Sequence, residues 1–289
     1  MNHSVSGEVS RFHSWLSFFW SWLPLLRTCT ARRFLLWQLT QRFIMAAYKV
    51  SSLGAVWMVL KPLFTFGIYL VVFGLIFKVR WSTAAPDSLG FSFVLPLLTG
   101  VAIHEYYASL LVDSCSILTD NRNYIKKVAF PLELLPVALT GRTLLTFCIY
   151  LLIIGVAVAI SKGAAFRIEL VFLLPILFAL VISGLAIALF CSALGLFFPD
   201  LKHANEVAAR VLFFVAPIFY PLDQVSPGLR ALISLNPLTQ VIELTRQCVL
   251  WGEAPPLSNL FALVAGSWLA LCLGYLVFSR CRKGFADVI

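Results

Sequence analysis

The sequence predicts an all-α integral membrane protein with six transmembrane helices, and three observations carry that expectation. The 289 residues are 61% hydrophobic and only 12% charged, about half the charged share of a soluble domain. Mean hydropathy is +0.93. The apolar residues also gather into runs that approach or exceed the roughly 20 helical residues a bilayer requires.

The first 31 residues form an N-terminal extension. Its stretch Trp15 to Leu26 resembles a signal h-region, and Leu26-Arg27-Thr28-Cys29 faintly resembles a lipoprotein cleavage box. Arg27 is wrong for such a box and no small-residue cleavage site follows, so the segment is expected to stay at the membrane surface. Residues 32–52 come next as an amphipathic interface helix. Leu36, Leu39, Phe43, Ala47 and Val50 fall on one side at helical spacing, with Gln38, Gln41, Arg42 and Lys49 opposite. Such a helix lies along a leaflet or packs on the protein beside it.

The six spans are expected at about 54–77, 91–116, 134–160, 168–198, 207–222 and 259–278. The fourth, with 31 residues, would reach about 46 Å and must tilt or project. The fifth is short, contains Pro217 and ends at Pro221. With the N-terminus inside, fourteen lysines and arginines fall on the inner side. Six fall outside: Lys78, Arg80, Lys162, Arg167, Arg230 and Arg246. The positive-inside rule then places both termini in the cytoplasm. Residues 223–256 hold two apolar pieces too short to span, punctuated by Pro227, Pro237, Pro255 and Pro256. They read as short re-entrant or surface-lying helices before the last span.

Several functions are excluded. The net charge of +9 comes from basic residues scattered at the ends of apolar runs, which fits membrane orientation and not nucleic acid. Seven cysteines form no C-x-x-C pair and the four histidines are isolated, so neither a disulfide framework nor a metal centre is expected. No phosphate loop or hydrolase signature is present. The chain has no visible means of binding ATP, so uphill transport would need a partner.

Charges inside spans require an account. Lys61, Asp113 and Arg142 lie a few turns from the expected inner ends, where snorkelling or mutual pairing suffices. Glu105, beside His104, lies about 11 residues or roughly 17 Å from that end. Near the midplane it must be protonated, paired or facing a wet passage, and we expect the passage. Phe66, Tyr69, Phe73 and Phe77 form one stripe on the first span, and Phe213, Phe214, Phe219 and Tyr220 cluster at the end of the fifth. These serve either as lipid-facing packing or as a carbohydrate path. Gly184, Ala188 and Ser192 make a small-residue stripe suited to close helix packing.

The segment "SILTDNRNYIKKVAFPLELLPV", Ser116 to Val137, resembles the connection between spans two and three of the type-2 ABC permeases that export polysaccharides. The residues carrying the likeness are Asn121, Tyr124, Ile125, Lys127, Phe130, Pro131 and Pro136. "LGAVWMVLKPLF", "LFFPDLKHA", the Pro217, Tyr220-Pro221 and Asn236-Pro237 series, and the terminal "GFADVI" follow in the family's order. Lys61 departs from the family's usual neutral polar residue, and the first thirty residues exceed its usual start.

The resemblance implies a homodimer around a channel in the bacterial cytoplasmic membrane, with ATP and magnesium on two separate cytoplasmic ATPase subunits. This chain would carry no cofactor and no catalytic residue. Its coupling helix, about 117–131, would use Asp120, Asn121, Tyr124, Ile125, Lys126, Lys127 and Phe130. Phe66, Tyr69, Phe73, Phe77, Glu105, Phe214, Phe219 and Tyr220 are the channel candidates. Helices in 223–256 would gate the outer side, and the interface helix would guide a lipid-linked polysaccharide, of O-antigen type, from the membrane lipid. A permease for a small drug or lipid, or a membrane-embedded transferase on lipid-linked sugars, are the alternatives.

Overall fold

One helix organises the rest. The structure, a computed structural model, describes residues 22–49, 51–77, 81, 91–125, 130–162 and 168–288, and among these there are helices and turns but no strand. In chain order the helices are α1 (Leu23–Ala31), α2 (Arg33–Tyr48), α3 (Trp57–Tyr69), α4 (Phe91–Asp120), α5 (Leu134–Lys162) and α6 (Leu173–Phe197). They continue with α7 (Leu201–Val215), α8 (Pro227–Ser234), α9 (Pro237–Arg246) and α10 (Leu257–Cys281). A wider π-type turn extends α3 through Leu70–Ile76, and another extends α9 through Gln247–Trp251.

Helix α4 is the core. In its most apolar stretch 78% is buried, against 11% in the first span, α3 with its extension. Helices α5, α6, α7 and α9 all pack on α4, and α10 packs along α6. The small-residue expectation explains how α6 comes so close. A Cβ added at Gly184 would meet the Tyr106 ring of α4 at 2.7 Å, and one at Gly274 of α10 would meet the Ala186 carbonyl at 2.5 Å. Removing side chains there lets helix backbones approach, which in a membrane replaces the missing hydrophobic drive between helices.

Five described helices are long and apolar enough to cross a membrane: Gly54–Ile76, Phe93–Asp120, Leu134–Ser161, Ile168–Phe197 and Leu257–Gly284. Residues 207–222, expected as a sixth crossing, are not among them. The helix there, α7, begins at Leu201 and stops after 15 residues at Val215, about 22 Å long. Its first ten residues carry Lys202, His203, Asn205, Glu206 and Arg210, too polar for an apolar window. Pro217, which lacks an N–H, follows the last turn, and the chain runs through turns to Pro221.

The two short helices after Pro221 start where proline sets the geometry. Pro227 and Pro237 each occupy the first turn, and the Asn236 side chain accepts from the Leu238 N–H at 3.0 Å. Gly252, with φ of 68°, ends the π-type extension of α9 in the left-handed conformation that favours glycine.

Of the expected apolar face, helix α2 buries Leu39 and Phe43 on the protein, Leu36 is half-buried, Ala47 is exposed, and Val50 lies outside the described residues. Thr40 lies against Gly141 of α5, where a Cβ would come within 3.1 Å of its methyl group. A second apolar face remains outside: Phe34, Trp37 and Met45 are 72%, 59% and 64% exposed. The helix therefore both packs on the protein and offers an apolar surface beyond it.

Candidate functional site

Polar groups inside the spans collect in one groove. It lies between the end of α2 and the facing sides of α3, α4 and α5, with a volume of about 490 Å³. Lys61 of α3, Glu105, Ser109 and Asp113 of α4, and Arg142, Thr146 and Tyr150 of α5 all line it. On α4, positions 105, 109 and 113 are one helical turn apart, which is why they share a face.

Asp113 and Arg142 form a charge pair through Oδ2 and Nη2. The Ser109 hydroxyl donates to the same carboxylate oxygen at 2.9 Å. Mutual pairing, anticipated for these two, is thus their arrangement. Lys61 and Glu105 are exposed on the groove walls, and neither makes an ion pair among the described residues. Asp113→Ala should leave the Arg142 cation facing the groove uncompensated and lower stability by about 1–3 kcal/mol. A double change, Asp113→Leu with Arg142→Met, should recover most of that loss, because neither charge of this half-buried pair is then left without its partner. Detergent melting curves of the two variants beside wild type check the pattern.

The aromatic candidates from the two distant segments meet. Phe73 is 6.0 Å from Tyr69, 6.0 Å from Phe77 and 6.4 Å from Phe219, ring centre to ring centre. Phe219 continues to Phe214 at 6.2 Å and to Phe213 at 5.0 Å. Phe213 in turn lies 4.8 Å from His104, whose Nε2 is bonded to the Ala209 carbonyl at 2.9 Å. Phe66 packs against the buried core and Phe77 stands 65% exposed. Tyr220 has a different duty: its hydroxyl donates to the Val215 carbonyl at 2.7 Å and satisfies the end of α7.

Of the segment expected to form a separate helix at 117–131, residues 117–125 and 130–131 are described, and these are arranged otherwise. Residues 117–120 belong to α4, which runs unbroken to Asp120. Asn121, expected within the new helix, instead donates its Nδ2 back to the Ile117 carbonyl at 2.9 Å and serves the end of α4. A single turn, Arg122–Ile125, follows. Asp120 is exposed and Ile125 half-buried, while Lys126 and Lys127 lie outside the described residues.

Two aromatic side chains of the segment meet. Tyr124 stacks on Phe130 with ring centres 4.4 Å apart. The Tyr124 hydroxyl accepts from Arg42 Nη1 of α2 at 2.6 Å, and the guanidinium lies 5.6 Å from the Tyr124 ring centre. Helix α2 and this segment are therefore joined by a cation, a ring and a hydrogen bond. At its far end the buried Glu133 carboxylate pairs with Arg282 beyond α10 at 3.1 Å and accepts from Thr28 of α1 at 3.4 Å. Burial, and then the Glu133 charge, push the neighbouring Cys29 thiol up to about 11, so it stays protonated at neutral pH.

Arg246 is the residue the sequence reading missed. Its side chain is fully buried and stands 4.6 Å from the Trp81 ring centre. It donates to the Pro96 carbonyl from Nε at 3.0 Å and Nη2 at 2.8 Å, and to Pro217 at 2.7 Å and Ile218 at 3.2 Å. Glu243, one turn earlier, accepts at 2.8 Å. Burial lowers the guanidinium to about 10 while Glu243 pulls it upward, so it remains charged at neutral pH. The i,i+3 Glu243–Arg246 pair closing a helix between prolines was the available signal.

These features define a multi-pass membrane protein with a polar groove and an aromatic track. Among the described residues no three His, Cys, Asp or Glu side chains converge as a metal site would require. The chain belongs to the ABC-2 type transporter family, whose profile matches residues 34–250. It is 27% identical over 270 residues to the O-antigen export system permease protein RfbA of Myxococcus xanthus, covering 92% of this chain and all of that protein. It is 25% identical to RfbA of Klebsiella pneumoniae, over 87% of this chain and 93% of that one. The polysialic acid transport protein KpsM of Escherichia coli is 24% identical over 73% of this chain and 79% of its own length.

Proposed function

We propose that this chain is the membrane-spanning permease subunit of an ATP-driven exporter that moves a lipid-linked polysaccharide, of O-antigen type, across the bacterial cytoplasmic membrane. Two copies enclose the path, two separate ATPase subunits supply the energy, and both termini face the cytoplasm. The names of the relatives, O-antigen export permeases and a polysialic acid transport protein, support the substrate class. Uncovered apolar surface supports the second copy. The first span is 11% buried, and on α7 Val207, Val211, Phe214 and Val215 are all more than two-fifths exposed along one face. The track Tyr69–Phe73–Phe219–Phe214 supplies ring faces on which sugar rings stack.

The observation that carries the reading is the Arg42–Tyr124–Phe130 clasp. A lever between α4 and α5 that receives a push from an ATPase must transmit it, and here it grips the helix that borders the groove. Helix α2 has an outward apolar face toward lipid and a last turn on the groove wall. The push therefore reaches the place where a lipid-borne substrate enters. The short helices α8 and α9 act as the outer gate.

A strain lacking this gene should accumulate lipid-linked polymer on the cytoplasmic side, and the wild-type chain should restore surface polymer. Tyr124→Ala should accumulate in the membrane like wild type yet lower surface polymer at least tenfold. Normal surface polymer in the deletion strain would refute the exporter reading. Full export by Tyr124→Ala would refute the lever.

A further inference from the structure

We propose that the groove between α2, α3, α4 and α5 binds the phosphate-to-sugar junction of a glycolipid, with Lys61 holding the phosphate and Glu105 holding hydroxyls of the first sugar. The proposal rests on the export reading and adds a binding site to it. Four charged side chains line the groove, and Asp113 and Arg142 neutralise each other. What remains is one cation on α3 and one anion on α4, both exposed to the groove and neither in an ion pair among the described residues. Charges held this way within spans mark a place where a polar ligand or water enters.

Glu105 lies eight residues from Asp113 on α4, about 12 Å along the helix. Tyr106 and Tyr150 line the groove with it. A carboxylate beside tyrosine rings suits a sugar: it accepts from adjacent hydroxyls while a ring covers the apolar face. Lys61 stands one turn before Thr65 on α3 and lines the groove together with the last turn of α2, where an ammonium suits a compact anion such as phosphate. A plain zwitterionic phospholipid would leave the carboxylate and its rings without hydroxyls to bind. A free sugar would leave Lys61 without its anion. The cavity of about 490 Å³ is in the size range of small-ligand sites, enough for one sugar and its phosphate but not for a polymer, so the rest of the chain must extend out of it.

The test uses the full chain in phosphatidylcholine nanodiscs, with binding read by native mass spectrometry. The probes are geranyl diphosphate carrying one glucose, geranyl diphosphate alone, octyl glucoside and phosphatidylethanolamine. Wild type should bind the glucose-bearing diphosphate best. Lys61→Gln should weaken both diphosphates roughly tenfold, the size of one charge-assisted contact. Glu105→Gln should weaken only the glucose-bearing one. Both side chains are exposed, so melting temperatures should match wild type, which separates lost binding from lost folding. Equal binding by both variants and wild type would overturn the proposal. So would phosphatidylethanolamine competing as well as the glucose-bearing diphosphate, which would assign the groove to ordinary lipid. In either case a wild-type chain that still restores surface polymer leaves the export reading standing.

Discussion

Arg246→Ala is expected to lower stability by about 3–5 kcal/mol, the cost of breaking a buried charge pair by removing one partner. The arginine is fully buried and its donors reach three carbonyls, those of Pro96, Pro217 and Ile218, as well as Glu243. Those carbonyls come from the start of α4 and the turn after α7, so one side chain fastens three parts of the chain. Removing it strands Glu243 and leaves acceptors without water or partner. Gly100 shows how tightly the site is built, since a Cβ there would stand 3.1 Å from Arg246 Nη2 and 3.2 Å from the Ile218 backbone. Arg246→Lys should not rescue, because an ammonium cannot match the guanidinium fork. The readout is the apparent melting temperature in detergent, with an expected drop of roughly 10 °C or failure to accumulate. An Arg246→Ala chain that melts with wild type would remove the latch.

Gly195→Val should damage folding comparably. A Cβ at Gly195 of α6 would stand 2.3 Å from the Cys115 carbonyl oxygen and 2.6 Å from its Cα on α4. These are backbone atoms, so no rotamer change relieves the clash and the two helices must move apart. Asn205 of α7 bonds the Leu111 carbonyl at 2.8 Å and contacts the Cys115 sulfur at 3.2 Å, so a shift there also loosens α7. Overpacking a close helix contact costs about 1–3 kcal/mol or more. Gly266→Ala of α10 is the internal control. Nothing lies within 4 Å of its added Cβ, and alanine in a helix should add about 0.5–1 kcal/mol. Melting curves of the two variants should move in opposite directions. A Gly195→Val protein as stable as wild type would contradict the packing described.

Much of the fold was legible because hydropathy is a local sum. Runs of apolar residues long enough to cross a bilayer announce five helices without any knowledge of their neighbours. Leu39 and Phe43 were readable as the packed face of α2 by their spacing, and Gly184 as a close contact by its size. The ends of elements were harder. Residues 207–222 looked like a crossing because their apolar half was counted without the polar turn that begins the helix at Leu201. Asn121 was placed inside the coupling helix, yet its amide turns back to Ile117 and serves the end of α4. In the candidate site, Asp113 and Arg142 were recognised as a possible pair, and Glu105 as a group needing an explanation. Their gathering with Lys61 in one groove was not visible, since these residues come from three helices separated by long stretches of chain.

By itself, the amino-acid order determined that this protein resides in a membrane, that its backbone is helical, and roughly where most crossings fall. Those properties follow from how each short stretch partitions between water and lipid, a quantity nearby residues decide among themselves. Only the tertiary structure decided that Arg246 is a buried fastener instead of an outer-loop cation, that Tyr124 grips Arg42, and that Phe73 meets Phe219. A side chain's partner depends on which distant helix packs against it, and that choice is made by the shapes of whole helix faces.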